Sequence, residues 1–283
     1  MGRRTIAREV SAEGKTLHSG VLVRMRLTSA PPGTGVVFVR ADLGGRPIQA
    51  RYDKVVATRL GTVISEGEAS VGVIEHLMAA VAGAEIDDLR ITVDGPEPPI
   101  LDGDARSYLE LIEAAGIAES SQARDVIKVL KRVEVCQEGA TAALEPCADR
   151  EFDFDIDFES AAIGRQHLLW RYSAAEFHRD IAPARTFGFL HELDALNRVG
   201  LARGATLENT LAIDGDMLVN PGRLRFPDEF VRHKILDAIG DMALAGSPVI
   251  GRFEGRRSGH ALNNRLLRAL FSDSAQYKRV PVN

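Results

Sequence analysis

The chain has 283 residues, 45% hydrophobic and 27% charged, with a formal net charge of −5. That length holds one large domain or two ordinary ones, and the acidic balance argues against general nucleic-acid binding, which needs a basic face. No apolar run approaches the roughly 18–20 residues of a membrane span, no apolar core follows Arg3 and Arg4 as in a secretory signal, and Cys136 and Cys147 form neither a CxxC pair nor a disulfide framework, so the expected setting is the reducing cytoplasm.

Taken in chain order, residues 21–29 alternate in part and predict a strand. Pro31-Pro32-Gly33 breaks it, and residues 36–40 predict another. Residues 70–83 predict a helix with Ser70 as N-cap and Gly83 at its end. Val71, Val73, Ile74, Leu77, Met78 and Val81 make it apolar on nearly every side, and such a helix is normally buried. Glu75 and His76 sit in its middle. A buried carboxylate without a partner is costly. The pair therefore needs either hydrogen bonds to backbone or an arginine, or a role at a metal site. Residues 89–93 predict a strand, followed by a Pro-rich loop. Residues 104–115 predict a second helix, with Asp102-Gly103-Asp104 as a turn into its cap. The polar, aperiodic stretch 118–125 is a candidate domain linker.

Strands resume at 126–135, and residues 152–158 alternate strictly as the clearest strand. A short helix follows at 174–179, then a mixed region with a strand at 210–213. A helix at 229–244, a strand at 248–254 and a helix at 260–271 complete the chain before a basic tail expected to fray. Each half repeats strands, helix, strand, turn and helix, with His76 and His233 near corresponding points. This order predicts an α+β fold of two similar layers meeting face to face.

The helix at 229–244 holds most of the chemistry. His233, Asp237 and Asp241 recur at i, i+4 and fall within roughly 80° of one another, with Lys234 within about 20° of Asp241. Val231, Ile235, Ala238, Ile239 and Met242 form the opposite stripe. Any surface helix shows this pattern, but His and Asp at i, i+4 can also close on one metal ion. Arg185-Thr186-Phe187-Gly188-Phe189 places a hydroxyl among aromatics, which a turn or simple packing also explains. His260 stands at a helix N-terminus, where the dipole opposes its protonation unless a carboxylate such as Asp241 restores it. Phosphate-loop, dinucleotide, nucleophile-elbow and H-E-x-x-H templates are all missing.

Five runs together resemble the bacterial UDP-3-O-acyl-N-acetylglucosamine deacetylases of lipid A biosynthesis. They are Leu17-His18-Ser19-Gly20, Ile74-Glu75-His76-Leu77-Met78-Ala79-Ala80, the segment from Ala184 to Phe189, the segment from Asp228 to Asp241, and Ser258-Gly259-His260-Ala261-Leu262-Asn263-Asn264. They occur in the family's order and spacing across essentially the whole chain. The resemblance implies two domains of similar topology, 1–120 and 126–283, with helices sandwiched between two outer β-sheets. It implies a metal hydrolase using zinc, with ferrous iron as the alternative ion in the cell. The implied substrate is a UDP-linked acylated amino sugar, and the chain is expected to act as a monomer.

Carried over by position, the metal ligands are His76, His233 and Asp237, which leave the fourth position of a catalytic zinc open. Glu75 corresponds to the general base and His260 to the second acid–base group, oriented by Asp241. Thr186 would donate to the oxyanion and Lys234 would contact substrate. Asp157, Phe158 and Arg257 match positions near the uridine and diphosphate. Phe187 is a further substrate contact. An insert at 190–213 would form an apolar passage for the acyl chain, with Leu196, Val199, Leu201 and Leu207 as its lining. The chain departs from many members at Gly204-Ala205-Thr206, in place of Gly-Gly-Ser, and at Ser160-Ala161, in place of His-Pro. On sequence alone, two other readings stay open: a binding protein that kept the fold without turnover, and an amidase for a different N-acyl sugar.

Overall fold

Alternation builds the first sheet. Leu22–Ser29 buries Val23, Met25 and Leu27 and exposes the residues between them, as a sheet with one wet face requires. In the computed structural model, which describes residues 1–220 and 222–282, this strand joins a five-stranded sheet. Its order is Val10–Lys15, Leu22–Ser29, Leu89–Val93, Val36–Arg40 and Pro47–Gln49. Helices α1 (Glu75–Gly83) and α2 (Arg106–Ala115) belong to this half and pack on each other.

In the second half, Val249–Arg256 buries every other residue. It lies between Ala140–Glu145, antiparallel, and Arg150–Asp157, parallel, within a seven-stranded sheet. The helices of this half are α3 (Ala174–Glu176), α4 (Leu190–Arg198), α5 (Glu229–Ala243) and α6 (His260–Ser272). α5 packs on Arg150–Asp157 and Arg165–Arg171, and α6 packs on Val133–Gln137 and Ala140–Glu145. α1 and α5 make the most extensive packing between any two elements, so the helices lie between the two outer sheets. The fold is α+β, as expected. Among the described residues, no helix is long and apolar enough to cross a membrane.

Several expectations change. The helix expected at 70–83 begins at Glu75, because Ala69–Val71 pairs with Val63–Glu66 and Ser70 is therefore a strand residue, not a cap. The stretch expected to be a linker is the strand Ile117–Ala123, antiparallel to Gly2–Ile6. Its polarity reflects an exposed strand. The tail is held as far as Val282: Tyr277–Pro281 pairs with Asp125–Val129, and Arg124 bridges Met1 and Val282 through backbone hydrogen bonds of 3.1 and 2.8 Å, while Asn283 lies outside the described residues. The surface reading of the helix at 229–244 fails most completely. Its polar stripe is as buried as its apolar one, with His233, Asp237 and Asp241 only 3%, 4% and 3% exposed.

Candidate metal centre

The crossing of α1 and α5 gathers the polar residues of both helices. Gly240 makes the contact: a Cβ there would land on the Glu75 carbonyl oxygen and lie 2.8 Å from its carbon. Glu75 and His76 open α1, and Asp237 and Asp241 flank Gly240, so close approach brings all of them to one point. Nε2 of His76 and Nε2 of His233 lie 3.6 and 3.5 Å from Oδ1 of Asp237. Ligand bonds of about 2.0–2.2 Å in a tetrahedron give edges of about 3.3–3.6 Å. Among the described residues this trio is the one group placed to hold a metal ion.

The donor chemistry fits a cation. Asp237 Oδ1 is buried and has no hydrogen-bond partner among the described residues, while Oδ2 accepts from Lys234 Nζ at 2.8 Å. An orphaned carboxylate oxygen facing two imidazole nitrogens is costly unless something positive sits between them. His233 Nδ1 donates to the Ala184 carbonyl at 3.0 Å, which turns Nε2 toward the trio. Burial lowers the His233 imidazole, and burial together with His233 lowers His76 to about 3. Both rings are thus held in the neutral form that binds metals. Burial opposes charge on both Asp237 and Lys234, but the surrounding charges together outweigh it: Lys234 and the neighbouring histidines hold the Asp237 carboxyl well below its usual range, and Asp237 with Asp241 and Glu75 raises the Lys234 ammonium.

Beside the trio lies an acid–base pair. Glu75 Oε2 accepts from the Thr62 backbone N–H at 2.9 Å, and Oε1 is 3.8 Å from His260 Nε2. Burial pushes the Glu75 carboxyl up to about 7, against the pull of His260. Burial disfavours the charged His260 ring, but Asp241 and Glu75 outweigh it and raise it to about 9. Asp241 Oδ2 accepts from His260 Nδ1 and Asn263 Nδ2, both at 2.8 Å, and Oδ1 accepts from Thr62 Oγ1 at 2.6 Å. A carboxylate near neutrality and a charged imidazole, both facing a metal trio, can respectively take and give a proton.

Comparison with known proteins gives the same direction. The family described as LpxC: UDP-3-O-acyl N-acetylglycosamine deacetylase matches residues 3–272. The chain belongs to the LpxC family. A UDP-3-O-acyl-N-acetylglucosamine deacetylase of Myxococcus xanthus (strain DK1622) is 45% identical over 281 residues, 99% of this chain and 89% of that protein. One of the same name from Aliarcobacter butzleri (strain RM4018) is 43% identical over 279 residues, covering 98% and 92%. Another, from Phenylobacterium zucineum (strain HLK1), is 45% identical over 273 residues, covering 95% and 93%.

Some of the remaining positions suggested by the LpxC resemblance line two cavities, and others do not. Thr186 and Phe187 line an apolar one with Leu17, His18, Leu60, Leu193, Leu196 and Ala205. Of the expected lining residues, only Leu196 contributes. Leu201 is outside the lining, and Val199 and Leu207 are 71% and 40% exposed on the surface. Lys234, His260 and Arg257 line a second, open cavity with Arg59. Asp157 is exposed and lines neither cavity. Phe158 packs edge-on against Phe187, with ring centroids 5.7 Å apart. Ser160 Oγ donates to the Gly215 carbonyl at 2.6 Å and Ala161 N to Asp216 Oδ1 at 2.8 Å, so this departure from the family pattern ties two loops together.

Sequence reasoning missed Thr62, Asn263, Arg59 and Leu193. Asn263 had a usable signal, since it lies one helical turn after His260 and shares its face. Thr62 had none: its partner Asp241 is 179 residues away.

Proposed function

We propose that the protein hydrolyses the N-acetyl group of UDP-3-O-acyl-N-acetylglucosamine, releasing acetate and the free 2-amine, in lipid A biosynthesis in the cytoplasm. The observation that carries this reading is the orphaned Asp237 Oδ1 between two neutral histidines, within reach of an acid–base pair. His76, His233 and Asp237 would hold zinc, or ferrous iron in its place. The bound ion would supply Lewis-acid polarisation of the reacting oxygens.

Glu75 takes the proton of the attacking water, for which a carboxyl near neutrality is suited. Thr186 donates to the oxyanion that develops on the acetyl carbonyl. His260, charged at neutral pH, steadies the same oxyanion and delivers its Nε2 proton to the departing amine, while Asp241 holds the opposite ring nitrogen. Lys234 spans the Asp237 carboxylate and the basic cavity, where Arg257 meets the diphosphate. The apolar cavity beside Thr186 takes the 3-O-acyl chain. The halves 1–120 and 126–283 act as two domains of a monomer, each supplying part of the centre.

The test is acetate release from the acylated UDP-sugar by the wild type and by Glu75→Gln and His260→Ala. Each substitution is expected to lower kcat by about 10²- to 10⁴-fold. Near-normal turnover in either variant removes its assigned role, and equal turnover of an N-acyl sugar lacking the 3-O-acyl chain points to a different amidase.

A further inference from the structure

We propose that Thr62 is a positioning residue of the hydrolytic centre, holding Glu75 through its backbone N–H and Asp241, and so His260, through its hydroxyl. The inference rests on the roles given above to Glu75 and His260. Thr62 is 1% exposed and uses all three of its polar groups at this point. Its N–H donates to Glu75 Oε2 at 2.9 Å, its hydroxyl to Asp241 Oδ1 at 2.6 Å, and its carbonyl accepts from Ile74 N at 3.4 Å, the residue before Glu75. An ionised carboxylate only accepts, so the hydroxyl must be the donor.

The arrangement divides Asp241 cleanly. Oδ2 serves His260 and Asn263, whereas among the described residues Thr62 is the only donor to Oδ1. Without the hydroxyl, Oδ1 is buried and unpaired, and the carboxylate can rotate to redistribute its oxygens. His260 then loses the fixed partner that aims its Nε2 at Glu75, 3.8 Å away. The segment's close approach also depends on the preceding residue. Gly61 has φ +131°, and a Cβ there would lie 2.7 Å from Glu75 Oε1, so a side chain would push Thr62 away from the base. One loop of the first half thus sets the base on α1 and, across the crossing, the acid on α6.

The experiment compares Thr62→Val, which keeps the shape and removes the hydroxyl, with Thr62→Ser, which keeps the hydroxyl. For each, metal content, kcat, KM and the NMR resonance of the His260 Nδ1 proton are measured. Thr62→Val should keep its metal and KM and lose about 10- to 100-fold in kcat, and Thr62→Ser should recover to within about threefold of wild type. The His260 Nδ1 resonance should stand far downfield in the wild type and Thr62→Ser and be displaced or broadened in Thr62→Val. Wild-type kcat in Thr62→Val, an equally slow Thr62→Ser, or a rate loss explained by lost metal would overturn the inference. If the wild type releases no acetate, the functional reading fails instead. The NMR comparison still decides the positioning role, because an unshifted resonance in Thr62→Val rejects it.

Discussion

Replacing Gly240 with alanine tests whether the helix crossing itself builds the centre. The added Cβ would sit 2.8 Å from the carbonyl carbon of Glu75, whereas nonbonded carbons rest about 3.5–4.0 Å apart. The obstacle is backbone in the middle of a packed helix pair, so α1 and α5 must part or tilt by about 1 Å. His76 rides on α1, and His233 and Asp237 ride on α5, so the same movement opens the metal trio and shifts Glu75 against His260. Misplacement of reacting groups by about 1 Å costs on the order of 10²-fold in rate, and overpacking a core costs about 1–3 kcal/mol. Steady-state acetate release, metal analysis and urea unfolding read the three consequences separately. Gly240→Ala with full metal content and kcat within about threefold of wild type would refute the argument that this glycine sets the site geometry.

Other consequences follow from the same contacts. Glu75 must be ionised to accept a proton and His260 protonated to give one. The kcat/KM profile is therefore expected to rise through the titration of Glu75, about 7 without metal and lower beside a bound cation, and to fall through about 9. His260→Gln should abolish the falling limb, and a wild-type profile flat across both values contradicts the assignment. Glu229 is 0% exposed and accepts from Arg185 Nε at 2.9 Å, Arg185 Nη2 at 3.1 Å and the Arg225 backbone N–H at 2.6 Å. Glu229→Ala leaves that guanidinium without its carboxylate and is expected to cost about 3–5 kcal/mol in urea unfolding; a loss within experimental error would show that Arg185 finds another anionic partner. Ala205 lines the apolar cavity, so Ala205→Phe should raise KM for the 3-O-acyl substrate by about tenfold or more and spare turnover of the unacylated sugar. Equal effects on both substrates would place the acyl chain elsewhere.

The sequence revealed the site more readily than its surroundings. Periodicity found the helices at 229–244 and 260–271 to within a residue or two, because each carries a sustained apolar stripe. Glu75 and His76 stood out because charge inside an apolar helix needs a reason. What stayed hidden depended on tertiary contact. An exposed strand such as Ile117–Ala123 carries too few apolar residues to signal a sheet. The i, i+4 stripe of α5 could not distinguish a solvated face from a buried one, because the element that covers it, α1, is distant in the chain. Thr62 and Gly240 meet their partners only through tertiary approach, which leaves no periodic trace. Apolar character alone likewise does not separate insert residues that line a cavity from those that face solvent: Val199 is exposed, whereas Leu193 and Ala205 line the cavity beside Thr186.

One metal ion held between α1 and α5 is expected to complete the centre. Titrating metal-free protein with Zn²⁺ while following acetate release tests it directly. Activity should rise linearly and stop at one equivalent per chain, with His233→Ala failing to respond. Full turnover in protein stripped of metal, or stoichiometric metal binding to the intact trio with no acetate released, would contradict it.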